Sequence, residues 1–266
     1  MNQPLLLEYP AWLVAFCIFL LILGFIWLGS AYRNIEIKRG KEISAGLSPV
    51  ENSMLGLMAL FMAFTFGMAM TKFESRRKGI IDESNAIEAV MLRCDLYPDS
   101  MRALLRADIA KYIDTRIAFN DAGADYGKIR PALDESSRTF RVLWKEVIDY
   151  SRTQTSPLLA NQMLPSLTAV VNNATNREAE RIAKVPPLIL TALLILTFTG
   201  SFLIGFNQAA VKRSKIFIFG FALMTTIALY LILELERPWS GLINLSSTEQ
   251  RIITLRGMLT EVPGVK

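Results

Sequence analysis

The chain of 266 residues is long enough for one or two soluble domains, but its composition indicates a membrane protein. Hydrophobic residues make up 52% of the sequence and charged residues only 20%, and the mean hydropathy is +0.33. The sequence has no histidine, and its only cysteines are Cys17 and Cys94. A zinc site, a histidine-based triad and a cysteine-held iron–sulfur cluster therefore lack their ligands, and we expect no metal and no cofactor.

The net charge of +5 does not indicate binding to nucleic acid, because the charges are mixed in sign. From Lys72 to Pro186 the sequence holds 18 Lys and Arg against 16 Asp and Glu. An enzyme is also not indicated, since no nucleophile–base pair is present. Asp82 and Glu83 are adjacent, so on a helix they do not face each other.

Four uncharged apolar segments predict four transmembrane helices. These spans are residues 11–28, 54–71, 187–206 and 216–233. Each has roughly 17 to 20 residues, which is enough to cross about 30 Å of hydrocarbon. No cleavage site follows the first span, so we expect it to be retained rather than removed as a signal peptide.

The spans divide the chain into four parts. Residues 1–71 hold the first helix pair, residues 72–186 a helical extramembrane domain, residues 187–233 the second helix pair, and residues 234–266 a C-terminal tail. The expected fold class is an all-α membrane protein with four transmembrane helices and a helical extramembrane domain between the second and third.

The extramembrane domain begins as a continuation of the second span. No helix breaker occurs before Cys94, so one helix is predicted from Met54 to Cys94, with a length of roughly 60 Å. Pro98 disfavours helix at Tyr97 and predicts a break there. Three further helices are then predicted: one with an apolar stripe that includes Leu105, one near residues 133–152, and one over residues 158–184.

Two lines of residues at intervals of four run along the second span. The first consists of the small residues Ala59, Ala63 and Gly67, and the second of Gly56, Leu60 and Phe64. Small residues at this spacing let helices approach closely in lipid. They indicate either packing among the four helices of one chain or several copies of this helix around an axis. In the second case, rings of apolar side chains would form a constriction that gates by dewetting.

A cluster of polar side chains follows the second span. Its members are Glu74, Arg76, Arg77, Lys78, Asp82, Glu83 and Asn85. One interpretation is a solvated helix in which Glu74 pairs with Lys78 and Lys78 with Asp82. A second is a charged vestibule that concentrates anions at a pore mouth, and in a third Asp82, Glu83 and Asn85 pack as a polar network.

A further group of residues marks the end of the fourth span. It consists of Glu236, Arg237, Pro238 and Trp239. Proline stops the helix, and tryptophan favours the membrane interface. We interpret this group as an interface anchor.

The orientation is predicted from cations in the short loops. Arg33, Lys38, Arg39 and Lys41 lie between the first two spans, and Lys212, Arg213 and Lys215 between the last two. Both loops lie on one side of the membrane, and these cations favour the cytoplasm. The extramembrane domain is then expected on the opposite, extracytoplasmic side.

Several short segments resemble a bacterial integral membrane family called bestrophin-like. They are Phe73–Glu74, Asp82–Ile87, Leu96–Asp99, Arg102–Arg106 and Glu236–Gly241. Three segments, Leu60–Phe64, Thr71–Phe73 and Glu74–Lys78, are also similar to the second helix of bestrophin anion channels and the stretch after it. The resemblance implies a multi-pass protein of the bacterial inner membrane.

The resemblance to bestrophins also implies a function. It implies a homo-oligomeric channel, pentameric in that family, that conducts small inorganic anions and is lined by the second helix. Phe64, Leu60 and Gly56 match the pore neck. Because glycine has no side chain, the pore would be wide at the level of Gly56. The acidic run that binds calcium in animal bestrophins is absent, so calcium gating is not implied. Bestrophins place the central region in the cytoplasm, which is opposite to the charge-based orientation.

The alternative function is a non-conducting membrane sensor or scaffold. In that case the mixed-charge helical domain would bind a partner or sense the cell envelope. Under either function the four spans are expected to lie in the lipid bilayer. Neither function involves nucleic acid.

Overall fold

The structure is a computed structural model that describes residues 9–39, 48–123, 125–153, 158–211, 215–237, 239 and 241–260. The helices are α1 (Ala11–Lys38), α2 (Ser48–Arg93), α3 (Asp99–Asp121), α4 (Tyr126–Thr153), α5 (Leu158–Ile182), α6 (Pro187–Val211), α7 (Lys215–Leu235) and α8 (Ser246–Thr260). The described residues contain no strand, and four helical stretches are long and apolar enough to cross a membrane. The predicted all-α membrane fold class is confirmed.

The chain forms two compact units, and α2 contributes to both. The first unit comprises Met1–Phe73 and Lys184–Ile243, and the second comprises Glu74–Ala183 and Asn244–Lys266. The first unit therefore holds α1, α6, α7 and the apolar part of α2. The second holds the rest of α2 together with α3, α4, α5 and α8.

In the first unit, α1 packs against α6 and α7. Ile22 of α1, Leu193 of α6 and Ala222 of α7 are fully buried in one apolar cluster. Phe25 and Phe198 stack with ring centroids 5.0 Å apart. These contacts are ordinary side-chain packing of apolar helices, which is the main source of helix association in lipid.

The predicted continuation of the second span beyond the apolar segment is confirmed. Helix α2 runs without interruption to Arg93, and a single 3₁₀ turn from Cys94 to Leu96 follows it. Tyr97 then has extended backbone angles (φ −93°, ψ 152°) directly before Pro98. This is the conformation that a following proline imposes, and α3 begins at Asp99.

In the second unit, α3 packs against α4 and α8, and α4 packs against α5. The predicted stripe of α3 is buried. It consists of Leu105, Ile109, Tyr112 and Phe119. Helix α4 begins earlier than the predicted residue 133, because the carboxylate of Asp125 accepts the backbone N–H of Gly127 at 2.9 Å and holds the first turn. Helix α8 lies in the segment that was predicted only as a tail.

Candidate functional site

The apolar part of α2 has one face that its own chain leaves uncovered. Leu60 and Phe64 are 51% and 63% exposed, and Gly56 is exposed on the same line. On the opposite side of the helix, Thr65 and Ala69 are fully buried. At about 100° per residue, the exposed positions cover roughly half of the helix circumference. The three residues predicted for the neck therefore share this uncovered face.

The line of small residues lies on the same face. Ala59, Ala63 and Gly67 are all exposed. A Cβ atom added to Gly56 or to Gly67 would meet no described atom within 4 Å. These small side chains therefore make no close helix contact within the described part of the chain.

Close helix contact in the first unit occurs at two other glycines, which the sequence analysis did not identify. A Cβ atom on Gly205 would overlap the backbone of Ile26, and one on Gly29 would overlap the backbone of Phe202. The hydroxyl of Ser30 also donates a hydrogen bond to the carbonyl of Gly205 at 2.9 Å. Ser201 and Gly205 have the small-residue spacing of four that would have revealed this contact.

The charged cluster after the second span does not form one surface. Glu74, Arg77 and Lys78 are exposed, and Glu74 pairs with Arg77 at 3.6 Å. The predicted Glu74–Lys78 and Lys78–Asp82 ion pairs do not form. Arg76 is buried and donates to the carbonyl of Ala183 at 2.6 Å, so it holds the end of α5 rather than facing solvent.

Glu83 lies at the centre of a buried ion network in the second unit. It accepts hydrogen bonds from Arg116 of α3 and from Arg177 of α5, the latter at 2.7 Å. Arg177 also lies 3.5 Å from Glu249 of α8 and donates to the side-chain oxygen of Asn120. The network therefore joins four helices, and three of its charged side chains, those of Glu83, Arg116 and Arg177, are almost completely excluded from solvent.

The aromatic ring of Phe119 lies among three arginines. Their guanidinium carbons are 4.5 Å (Arg116), 5.4 Å (Arg177) and 4.5 Å (Arg181) from the ring centroid. Arginines stack favourably on aromatic faces, especially where water is excluded. Burial by itself raises the pKa of Glu83, but Arg116 and Arg177 overcome this effect and hold that pKa below its usual value. Glu83 is thus kept charged.

Asp82 and Asn85 contact neighbouring elements of the same unit. The backbone carbonyl of Asp82 accepts a hydrogen bond from the side chain of Asn173 at 3.0 Å. The exposed side chain of Asn85 accepts one from Arg251 of α8 at 3.1 Å. These contacts, like those of Glu83, hold the helices of the second unit together.

The residues predicted as an interface anchor follow the end of α7 at Leu235. Glu236 is buried, and its carboxylate accepts the backbone N–H of Val185 at 3.0 Å. Arg237 donates to the carbonyl of Tyr9. Trp239 is half-buried, and Pro238 lies outside the described residues. Glu236 and Arg237 thus tie the end of α7 to two distant parts of the first unit.

No group of three or more acidic or cysteine side chains within the described ranges is placed to hold a metal ion. The arrangement that remains is an uncovered apolar helix face in one unit and a buried charge network in the other. This combination defines a multi-pass helical membrane protein whose second helix has the least covered membrane segment.

Comparison with known proteins identifies the family. The family model described as the bestrophin-like domain matches residues 16–250, which is most of the chain. The protein therefore belongs to the bestrophin-like family. The resemblance inferred from sequence motifs is confirmed, and the family is channel-like rather than enzymatic.

Solved structures of a bacterial bestrophin homologue from Klebsiella pneumoniae share the fold. A variant with one substitution matches with a TM-score of 0.72 at 13% identity, over 93% of this chain and 99% of that chain. The structure solved by zinc phasing matches with a TM-score of 0.68 at 12% identity, over 91% and 98% of the two chains. At this identity the similarity concerns the fold alone. No curated protein matches the chain significantly.

Proposed function

We propose that the protein is a homo-oligomeric ion channel of the bacterial inner membrane, conducting small anions through a pore lined by α2. The observation that carries this proposal is the uncovered apolar face of α2. In the apolar window of this helix only 17% of the residues are buried, against 33% in each of the other three candidate spans. Besides lipid, this face is available for contact with a second copy of the chain and for lining a pore.

The types of residue on the face support a pore rather than lipid contact alone. Lipid-facing helices have no need of glycine, whereas this face holds Gly56 and Gly67 with open space beside each. Leu60 and Phe64 lie between these glycines and project from the same side. In a ring of α2 helices, Phe64 would form the narrowest apolar constriction, and Gly56 would leave the far end wide.

The exposed charges that follow the apolar segment support a preference for anions. Arg77 and Lys78 are exposed beside a single exposed carboxylate, that of Glu74. Cations near a pore mouth raise the local concentration of anions by their field alone, without a specific binding site. Arg76 contributes less to this field than the sequence suggests, because its side chain is buried.

The proposal is tested by chloride flux into liposomes that contain the purified protein. Replacing Phe64 by Ala widens the proposed constriction, so we expect a several-fold faster flux from this variant. Phe66→Ala is the matched control, because Phe66 is also exposed but lies about 160° away around the helix. Its flux should equal that of the unchanged protein.

Three further results would decide between the proposal and its alternative. Equal flux from the Phe64→Ala and Phe66→Ala variants would show that Phe64 is not at the constriction. Faster potassium than chloride flux would contradict the anion preference. No flux from any correctly inserted oligomer would favour the non-conducting sensor or scaffold. Native mass spectrometry in detergent would test the pentamer that the family resemblance implies.

A further inference from the structure

The second unit contains a cleft that the channel proposal does not use. It has a volume of about 290 Å³ and lies between α3, α4 and α5. Tyr112 and Arg116 form its floor, and both are almost completely buried. This volume is close to the lower end of the range of small-molecule sites, about 300 to 1,000 Å³.

The cleft has an apolar, aromatic interior. Tyr112 and Phe140 line it with their rings in edge contact, 5.9 Å between centroids. Burial raises the pKa of Tyr112 to about 12, so its hydroxyl stays protonated and uncharged. Such an interior accommodates the apolar body of a small molecule.

Two opposite charges lie on the walls of the cleft. Arg141 of α4 and Glu178 of α5 both line the cleft, and neither makes a hydrogen bond or ion pair with another residue in the described ranges. Arg141 is exposed and Glu178 is half-buried. Other charged residues of this unit, by contrast, form ion pairs such as Arg138–Glu135 and Arg256–Asp114.

The buried side of the cleft adds a hydrogen-bond donor. Arg116 is held by Glu83, but its Nη2 atom makes no hydrogen bond with any described residue. The charge of Arg116 is balanced by Glu83 and reduced further by nearby Glu178, so Arg116 offers a donor rather than a net positive field. A ligand with one negative charge meets Arg141 at the mouth of the cleft. A ligand with a positive charge as well meets Glu178.

We propose that this cleft binds a small zwitterionic molecule, such as a free amino acid with an apolar side chain. The carboxylate of the ligand pairs with Arg141, its ammonium group pairs with Glu178, and its apolar part packs on Tyr112 and Phe140. A purely anionic ligand would leave Glu178 unpaired against it, and a purely cationic ligand would leave Arg141 unpaired. The cleft thus makes the second unit a ligand-binding domain, whether or not the first unit conducts ions.

The test is isothermal titration calorimetry on the full-length protein in detergent with three probes of similar size. L-phenylalanine carries both charges, phenylacetate only the carboxylate, and phenethylamine only the ammonium. We expect L-phenylalanine to bind more tightly than either of the others. Comparable affinity for phenylacetate or phenethylamine, or no binding of L-phenylalanine, would overturn the proposal.

Two substitutions at the surface of the cleft separate the charges without disturbing the fold. Arg141→Gln should lower the affinity for L-phenylalanine about fivefold, which is the upper value for an exposed ion pair, and should also lower the affinity for phenylacetate. Glu178→Gln should lower the affinities for L-phenylalanine and phenethylamine but not the affinity for phenylacetate. Arg138→Gln, on the same helix outside the cleft, is the matched control and should bind all probes as the unchanged protein does. Equal affinities in all variants would show that the binding occurs elsewhere.

Discussion

The two halves of α2 differ in the kind of side chain that each one buries. Before Phe73, the helix leaves a large aromatic side chain, Phe64, 63% exposed. After Glu74, the same helix buries a carboxylate, Glu83, completely, and Ser84 almost completely. Hydropathy alone would have predicted the reverse. The difference follows from the environment that each half meets.

In lipid, an exposed apolar side chain carries no penalty, because the hydrocarbon is as apolar as a protein core. The apolar half of α2 can therefore leave one face open for lipid, for another copy of the chain or for a pore. In the second unit, burial of a charge is tolerated only if partners compensate it, and Glu83 has two arginines. The comparison teaches that the first half can expose apolar side chains without a cost, whereas the second half needs ion pairing to bury its charge.

The largest effect is expected from removing the charge of Glu83. Glu83→Gln leaves Arg116 and Arg177 buried without their anion, and this should lower the free energy of unfolding by about 3–5 kcal/mol. The measurement is chemical denaturation of the detergent-solubilised protein. Glu88→Gln is the matched control, because Glu88 is exposed on the same helix. A similar small change in both variants would show that the network of Glu83 does not stabilise the domain half of α2.

A smaller effect on stability is expected from replacing glycines of the first unit, and it should differ between Gly205 and Gly67. Gly205→Leu places a side chain against the backbone of Ile26, so we expect a loss of about 1–3 kcal/mol or more. Gly67→Leu meets open space within the chain and should leave the thermal stability of the protomer nearly unchanged. It should instead reduce the proportion of oligomer measured by native mass spectrometry. An intact oligomer in the Gly67→Leu variant would assign this part of α2 to lipid contact.

A pH effect is expected from Glu146 in the second unit. Burial and the neighbouring carboxyl of Asp108 raise the pKa of Glu146 to about 7. A carboxyl whose pKa is raised by folding stabilises the fold at low pH, and this contribution is lost as the pH rises through the folded pKa. The melting temperature should therefore fall between about pH 5 and pH 8, and less so in Glu146→Gln. If Glu135→Gln, an exposed control on α4, flattened the profile equally, the effect would not come from Glu146.

The orientation test changes no interaction in the fold. The charge-based prediction places the N-terminus and the second unit outside the cell, whereas the family resemblance places the second unit in the cytoplasm. A tag at the N-terminus should be accessible to antibody in intact cells if the charge-based prediction holds. Protection of the tag would support the orientation seen in bestrophins and would place Arg77 and Lys78 on the cytoplasmic side.

The features that could be predicted from sequence depend on a single residue or on one simple spacing of residue types along the chain. The spans followed from uncharged apolar runs, and the break after α2 followed from Pro98. The family followed from motifs such as Asp82–Ile87. The open face of α2 was visible as two lines at intervals of four, but the sequence could not distinguish an open face from a packed one.

The features that sequence reasoning missed depend on pairs of residues far apart in the chain. Gly205 lies against the backbone of Ile26 and Gly29 against that of Phe202, both more than 170 positions away. The small-residue spacing of Ser201 and Gly205 marks one side of this contact but does not identify its partner. Arg116 and Arg177 resemble any other helix-surface arginine until α3 and α5 bring them to Glu83. Phe119 was predicted as part of an apolar stripe, and its three arginine neighbours come from positions that periodicity does not mark.

The unbroken length of α2 has a mechanical consequence. A helix of 46 residues is about 69 Å long, and after Pro49 it contains no proline at which it would bend. In the second unit, Arg76 and Glu83 fasten this helix to α5 at two points that are two turns apart. A small rearrangement of α5 would therefore move both points together and displace this part of α2 as one segment instead of being absorbed between them.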